Sequence, residues 1–231
     1  MSQPLPLKFW SIGRITGLLL LIVTLTHMAG FQISMRFMVA GDFAATSANI
    51  AKGETLFRAA ALSYVVSSIL SVALAVCFYL ILEPIHRLSA FWVLGWRFFE
   101  AMVSSAAWAN RFALIDNQTN PNLLGSNGAE ALHQVLRNAS NAGFDIGAIG
   151  LALASVIGFV CLFRAKTIPR ILSAFATLGG LLVLGTSVIA LLLPKTDIPS
   201  HLSFAVTLLS QLAIGAWLLV FSTRPNTTPA S

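Results

Sequence analysis

Arg97 and Glu100 stand three residues apart inside the apolar stretch Leu88–Ile115. On a soluble surface that spacing is an ordinary helical ion pair. In hydrocarbon a charged side chain costs roughly 2.5–3.5 kcal/mol on insertion scales, so it turns toward a partner or a wet cavity. An Arg presents a rigid fork of N–H donors that suits carboxylates and phosphates. An intramembrane Glu can carry a proton or act as a general acid, and Glu100 is the candidate catalytic group on those grounds. The plainer reading is a structural clasp that sets helix register.

The pair belongs to a longer pattern. At 100° per residue, Arg97, Glu100, Ser104, Trp108 and Arg111 fall within an arc of roughly 80°. Helicity alone therefore makes them one polar stripe running from mid-membrane toward one surface. Such a stripe could take an anionic or zwitterionic group, from a lipid or from a small molecule. In the last apolar segment Thr207, Ser210 and Gln211 are the polar cluster, and Gln211 could reach the stripe. Arg97, Glu100, Ser104, Trp108, Arg111 and Gln211 form the candidate ligand-binding set.

Other polar residues read as structural. His27 lies late in the first apolar segment, one turn after Thr24, and a lone intramembrane His is expected to bond a neighbour. His86, His133 and His201 sit on different segments without metal-ligand spacing, so no metal is expected. Tyr64, Ser67, Ser68 and Ser71 give the second segment a hydroxyl-bearing face suited to interhelical contact. Asn138, Asn141 and Asp145 cluster where the fourth segment begins, where Asp145 would favour the positive end of the helix dipole.

These side chains must be positioned by membrane helices. The chain of 231 residues is 57% hydrophobic and 10% charged, against roughly a quarter charged in soluble domains. A helical span needs roughly 20 apolar residues. Six segments qualify, at 12–31, 56–82, 88–115, 144–163, 171–193 and 202–221. They predict an all-α, polytopic integral membrane protein: a single bundle of six transmembrane helices covering residues 1–231. The first segment follows Lys8 and Arg14 as a signal peptide would, but it is as long as a full span and is read as a retained helix. Cys77 and Cys161 fall within spans and are expected to remain thiols.

The connections differ in kind. Glu83-Pro84 should end the second helix, and Arg164–Arg170 should make a tight turn with Pro169 in the first turn of the fifth. Short turns predict antiparallel packing of helices two and three, four and five, and five and six. Two longer connections lie on the opposite side. Residues 32–55 contain the Ala-rich run 44–51 and a Glu54/Arg58 pair. Residues 116–143 open on a turn-rich run and continue with Ala131, Leu132, Val135, Leu136 and Ala139 at helical spacing. That spacing predicts a short amphipathic helix at the interface or folded over the bundle. The tails, 1–7 and 223–231, are expected to be disordered. Gly147, Gly150, Ala154 and Gly158 form a small-residue stripe that lets helices approach closely.

Charge sets orientation. The termini and the tight turns carry seven cations, Lys8, Arg14, Arg87, Arg164, Lys166, Arg170 and Arg224, and the other side carries six. The density of the short Arg164–Arg170 turn places both termini in the cytoplasm by the positive-inside rule. No phosphate loop, dinucleotide fingerprint, nucleophile elbow or haem motif occurs, so no cofactor is expected. Basic residues do not interleave with aromatics outside the spans, which argues against nucleic-acid binding. Membrane lipids are the expected surroundings; the oligomeric state is not specified.

Four segments carry a resemblance: Arg14-Ile15-Thr16-Gly17, Phe78–Pro84, Gly95-Trp96-Arg97-Phe98-Phe99-Glu100-Ala101 and Arg164–Ser173. In order and spacing they are similar to the bacterial membrane proteins classed as domain of unknown function 4386. The resemblance implies a six-helix bacterial inner-membrane protein with no assigned activity, and makes Arg97 and Glu100 motif positions. Similar proteins often carry an acid where this chain has Gln211, a departure that weakens any two-carboxylate mechanism. Three functions fit these readings: a bundle that binds a small molecule or lipid, in transport or sensing; an intramembrane enzyme on a lipid or isoprenoid with Glu100 as general acid; and a structural or accessory subunit.

Overall fold

In a bilayer every backbone polar group must be satisfied within the segment, so an apolar chain of this length folds as helices. The computed structural model describes residues 9–39, 41–119, 125–193 and 200–221, without the side chains of 9–11, 111, 114–119, 125–127 and 200–201. Among the described residues there are seven helices and no strand. They are α1 (Phe9–Met35), α2 (Phe43–Lys52), α3 (Glu54–Leu82), α4 (Arg87–Thr119), α5 (Gly125–Ala165), α6 (Arg170–Leu192) and α7 (Ser200–Phe221). Both predicted tails lie outside the described residues; of the predicted turn-rich run 116–122, residues 116–119 are instead the end of α4, and 120–122 lie outside the described residues.

Stretches within α1, α3, α5, α6 and α7 are long and apolar enough to cross a membrane. The sixth long helix, α4, has the length but carries the polar stripe, which lowers its hydropathy. It packs between α3 and α5. The six long helices close into a ring in the order α1, α3, α4, α5, α6, α7 and back to α1. The expected antiparallel neighbours all occur, and α4 with α5 and α1 with α7 complete the circle.

The faces are sorted as a bilayer demands. Leu25, Ile69, Leu88, Met102, Leu178, Leu209 and Val220 point outward and are exposed. Thr24, Ser67, Ser71, Arg97, Ser104, Ser187, Thr207 and Ser210 are buried. Lipid supplies no hydrophobic drive between helices, so small and hydrogen-bonding residues make the contacts. The multi-pass membrane character of the chain follows from five such apolar helices and this arrangement.

Close approach is written in glycine. A Cβ on Gly17 of α1 would lie 2.6 Å from the Gly215 carbonyl oxygen and 2.7 Å from the Leu219 nitrogen of α7, both backbone atoms. On α5 the predicted small-residue stripe faces α4: a Cβ on Gly147 would meet Ser104 Oγ at 2.6 Å, and one on Gly150 the Trp96 carbonyl at 3.1 Å.

Two expectations are corrected. The amphipathic segment 131–139 is not a separate helix; it is the first half of α5, whose 41 residues run unbroken for about 60 Å, twice the roughly 30 Å hydrocarbon layer. Asp145 therefore lies in mid-helix and meets no helix N-terminus. The N-terminal half of α5 joins α2 on the side away from the chain termini. There Phe43 packs its ring edge on His133 at 5.1 Å, and Ile50 and Phe57 are buried with Phe37, Met38 and Phe112. Asp42 caps α2 through Oδ1, which accepts the Ala45 N–H at 2.8 Å.

The turns on the terminal side are tight, as expected. His86 precedes α4 and its Nδ1 accepts the Ser89 N–H at 3.2 Å. Lys166 takes the left-handed conformation (φ 55°) that turns α5 into α6, and Pro169 sits one residue before α6 rather than inside its first turn. The Glu54–Arg58 pair forms at 2.7 Å on the surface.

Gly17→Val should force α1 from α7, since no side chain can yield to the new atoms. A loss of about 1–3 kcal/mol or more is expected, read as a lowered thermal midpoint in detergent. Gly95→Ala, whose Cβ would meet nothing within 4 Å, should leave the midpoint unchanged or raise it.

Candidate functional site

Arg97 lies ten residues into α4, about 15 Å along the axis and so near the middle of the bilayer. Its side chain is buried, with 8% exposure, and that of Glu100 with 15%. The predicted pair forms: Arg97 Nη1 stands 3.2 Å from Glu100 Oε2. The opposite edge of the guanidinium reaches α3, where Nη2 donates to Ser71 Oγ at 3.3 Å. Ser71 belongs to the hydroxyl face that the sequence offered only as an interhelical contact. Its role at the pair is non-local, and the sign available beforehand was the hydroxyl stripe itself.

The pair is not fully satisfied. Arg97 Nε has no hydrogen-bond partner, and the geometry at Glu100 Oε2 makes an ion pair without an aligned hydrogen bond. Buried polar atoms are paired in the great majority of cases, and the exceptions call for an explanation. Arg97 borders a cavity of about 30 Å³, room for one or two waters. Its walls come from five helices of the ring: Leu20 of α1, Phe78 of α3, Val93 of α4, Ser155 of α5 and Gln211 of α7 are among them. The cavity is thus central to the ring.

The other candidates divide. Ser104 is buried one turn beyond Glu100, against Gly147. Trp108 is buried two turns beyond Glu100, its ring stacked on Tyr64 at 3.4 Å between centroids. Gln211 shares the central cavity with Arg97, and its Oε1 accepts from Thr24 Oγ1 at 3.0 Å. Its reach toward the stripe is therefore through the cavity, while its amide oxygen ties α7 to α1. Position 111 is within α4, but the Arg111 side chain is outside the described residues.

Sequence reading missed the partner of His27. Its ring meets the Tyr64 ring edge-on at 4.7 Å, with Phe144 at 6.4 Å. Tyr64 therefore links His27 on α1 to Trp108 on α4. Beyond this aromatic group, away from Arg97, lies a second and larger cavity bounded by Tyr64 and Trp108. The interior of the ring is an axis with a charged pair at mid-depth and an aromatic group two to three turns above it.

These features lie within a span that a known family covers. The model of the family described as domain of unknown function matches residues 15–221, from α1 to the last residue of α7. The chain belongs to domain of unknown function 4386. That family description names no reaction or ligand, and the match includes Arg97, Glu100, Ser71 and Gln211. No curated protein and no solved structure matches the chain.

Removing one partner of a buried pair strands the other charge. Arg97→Leu alone is expected to cost about 3 kcal/mol or more of stability. The double variant Arg97→Leu/Glu100→Leu should recover most of that loss, because neither charge remains. Thermal unfolding of the two variants side by side in one detergent checks the order.

Proposed function

We propose that this membrane protein binds a small polar ligand inside its ring of helices, with the Arg97 guanidinium as the recognising group. One observation carries the reading: a buried Arg97 whose Nε has no partner borders a cavity walled by five helices. A clasp serving register alone would be expected to use its donors fully. Glu100 and Ser71 hold the other two nitrogens, and an anionic ligand group can compete for them. The size of the cavity favours a small molecule over a lipid head group, since only about 30 Å³ is free. Transport and sensing are the roles that suit a ligand site at the bilayer midplane.

Purified protein in detergent, titrated with acetate and separately with inorganic phosphate, tests the reading. A saturable rise in thermal midpoint is expected with at least one of them, because a ligand bound only by the folded state stabilises it. The Arg97→Leu/Glu100→Leu protein should show no such rise. No rise in the parent protein, or equal rises in both, overturns the proposal.

The setting belongs to the same proposal: a bacterial inner membrane with both termini in the cytoplasm. The exposed cations Arg164, Lys166 and Arg170 in the turn between α5 and α6 support it. A cysteine introduced at Lys166 should resist an impermeant maleimide on intact cells. One introduced at the exposed Asn138 should react. The reverse pattern reverses the orientation.

A further inference from the structure

The second cavity holds about 120 Å³, four times the space beside Arg97 and close to the roughly 150 Å³ of an apolar cavity known to admit benzene. None of the described residues that line it is charged. Its base is the stacked pair of Tyr64 and Trp108, both buried, which offers an aromatic face. Phe31, Met35, Met38 and Phe144 add aromatic and thioether surface, the polarisable kind that packs well against rings. Its polar lining comes from two helices: Ser34 of α1 and, from α5, Ser140 and Asn141. Ser140 Oγ spends its hydrogen on the Ala107 carbonyl at 3.1 Å and keeps its lone pairs for an incoming donor.

Burial tells floor from mouth. Ser34, Ala107, Trp108, Ser140 and Tyr64 are buried, whereas Phe31, Met35 and Asn141 are exposed at the rim. Trp108 lies 21 residues into α4, about 30 Å along its axis, so the mouth is on the side of the bundle away from the termini. The cleft is thus open at the rim and buried at its floor, a shape that admits a small molecule from that side.

We propose that this cavity is a second binding site, separate from Arg97, for a neutral aromatic molecule of phenol size that carries one hydrogen-bonding substituent. The ring stacks over Tyr64 and Trp108, and the substituent donates to Ser140 or meets the Asn141 amide. The uncharged lining among the described residues sets the preference for a neutral ligand, because an ion would meet no compensating charge there.

The probe is 4-fluorophenol, followed by fluorine NMR with the full-length protein in detergent. Saturable binding above micelle partitioning is expected. Met35→Trp, at an exposed rim position where folding should persist, narrows the mouth. Ser34→Phe fills the wall. Each should weaken binding at least tenfold. The Arg97→Leu/Glu100→Leu protein should bind the probe within twofold of the parent, which separates this site from the one at mid-depth. Phenolate, reached by raising the pH through the phenol's own ionisation, should bind less well than phenol. Partitioning without saturation overturns the proposal. So does saturable binding that neither Met35→Trp nor Ser34→Phe changes.

Discussion

A guanidinium and a carboxylate at the middle of an apolar layer dictate much of what surrounds them. Arg97 and Glu100 can remain there only if α4 turns them away from lipid, and that requires neighbours on both sides. The hydroxyl of Ser71 on α3 meets the guanidinium from one side. On the other, α5 must come close enough to cover Glu100, and Gly147 and Gly150 permit this: a Cβ on Gly150 would lie 3.4 Å from Glu100 Cβ and 3.1 Å from the Trp96 carbonyl. A single polar stripe thus sets the small-residue character of the next helix. It also explains why α4 falls short of the hydropathy of the other five long helices while packing among them.

Polar contacts then close the circle. Thr24 and Gln211 bind α1 to α7 where Gly17 and Gly215 let the two backbones approach. Thr186 and Ser203 join α6 to α7 through their hydroxyls at 3.0 Å. Interhelical hydrogen bonds in membranes average only about 0.6 kcal/mol, so none of these holds the ring alone. Their effect is to fix which faces meet. The two ends differ accordingly. Tight turns with His86, Lys166 and Pro169 leave little chain on the terminal side, whereas α2 and the overlong α5 build an additional layer opposite.

What the sequence disclosed was local. Helical geometry alone put Arg97, Glu100, Ser104 and Trp108 on one face, and apolar length gave the long helices to within a few residues for most of them. The start of α5 was less legible for a physical reason. Gly143 and the polar residues before it resemble a break, yet Gly143 is spent on packing: its missing Cβ makes room for Ala107 Cβ, which would be 2.8 Å away. Ser140 holds the same carbonyl-bearing turn of α4. A glycine that would punctuate a soluble helix here marks a contact. Ser71, His27 and the Tyr64–Trp108 stack were equally hidden, because which residue of a polar face meets which neighbour depends on the order of helices in the ring.

The unpartnered Nε of Arg97 constrains what the resting site contains. Leaving a buried donor unsatisfied costs about 1–3 kcal/mol, and more for a charged group. The adjoining cavity has Arg97, Ser155 and Gln211 as polar lining, with Leu20, Phe78 and Val93 among its apolar residues. Two to four polar partners are what an internal water needs. The three polar residues of the lining can meet that need. A ligand that displaces such a water must return its hydrogen bond to Nε, which a carboxylate oxygen does and a hydrocarbon does not. For the proposed ligand, a preference for a polar group over an acyl chain follows from that exchange, before Glu100 or Ser71 is disturbed.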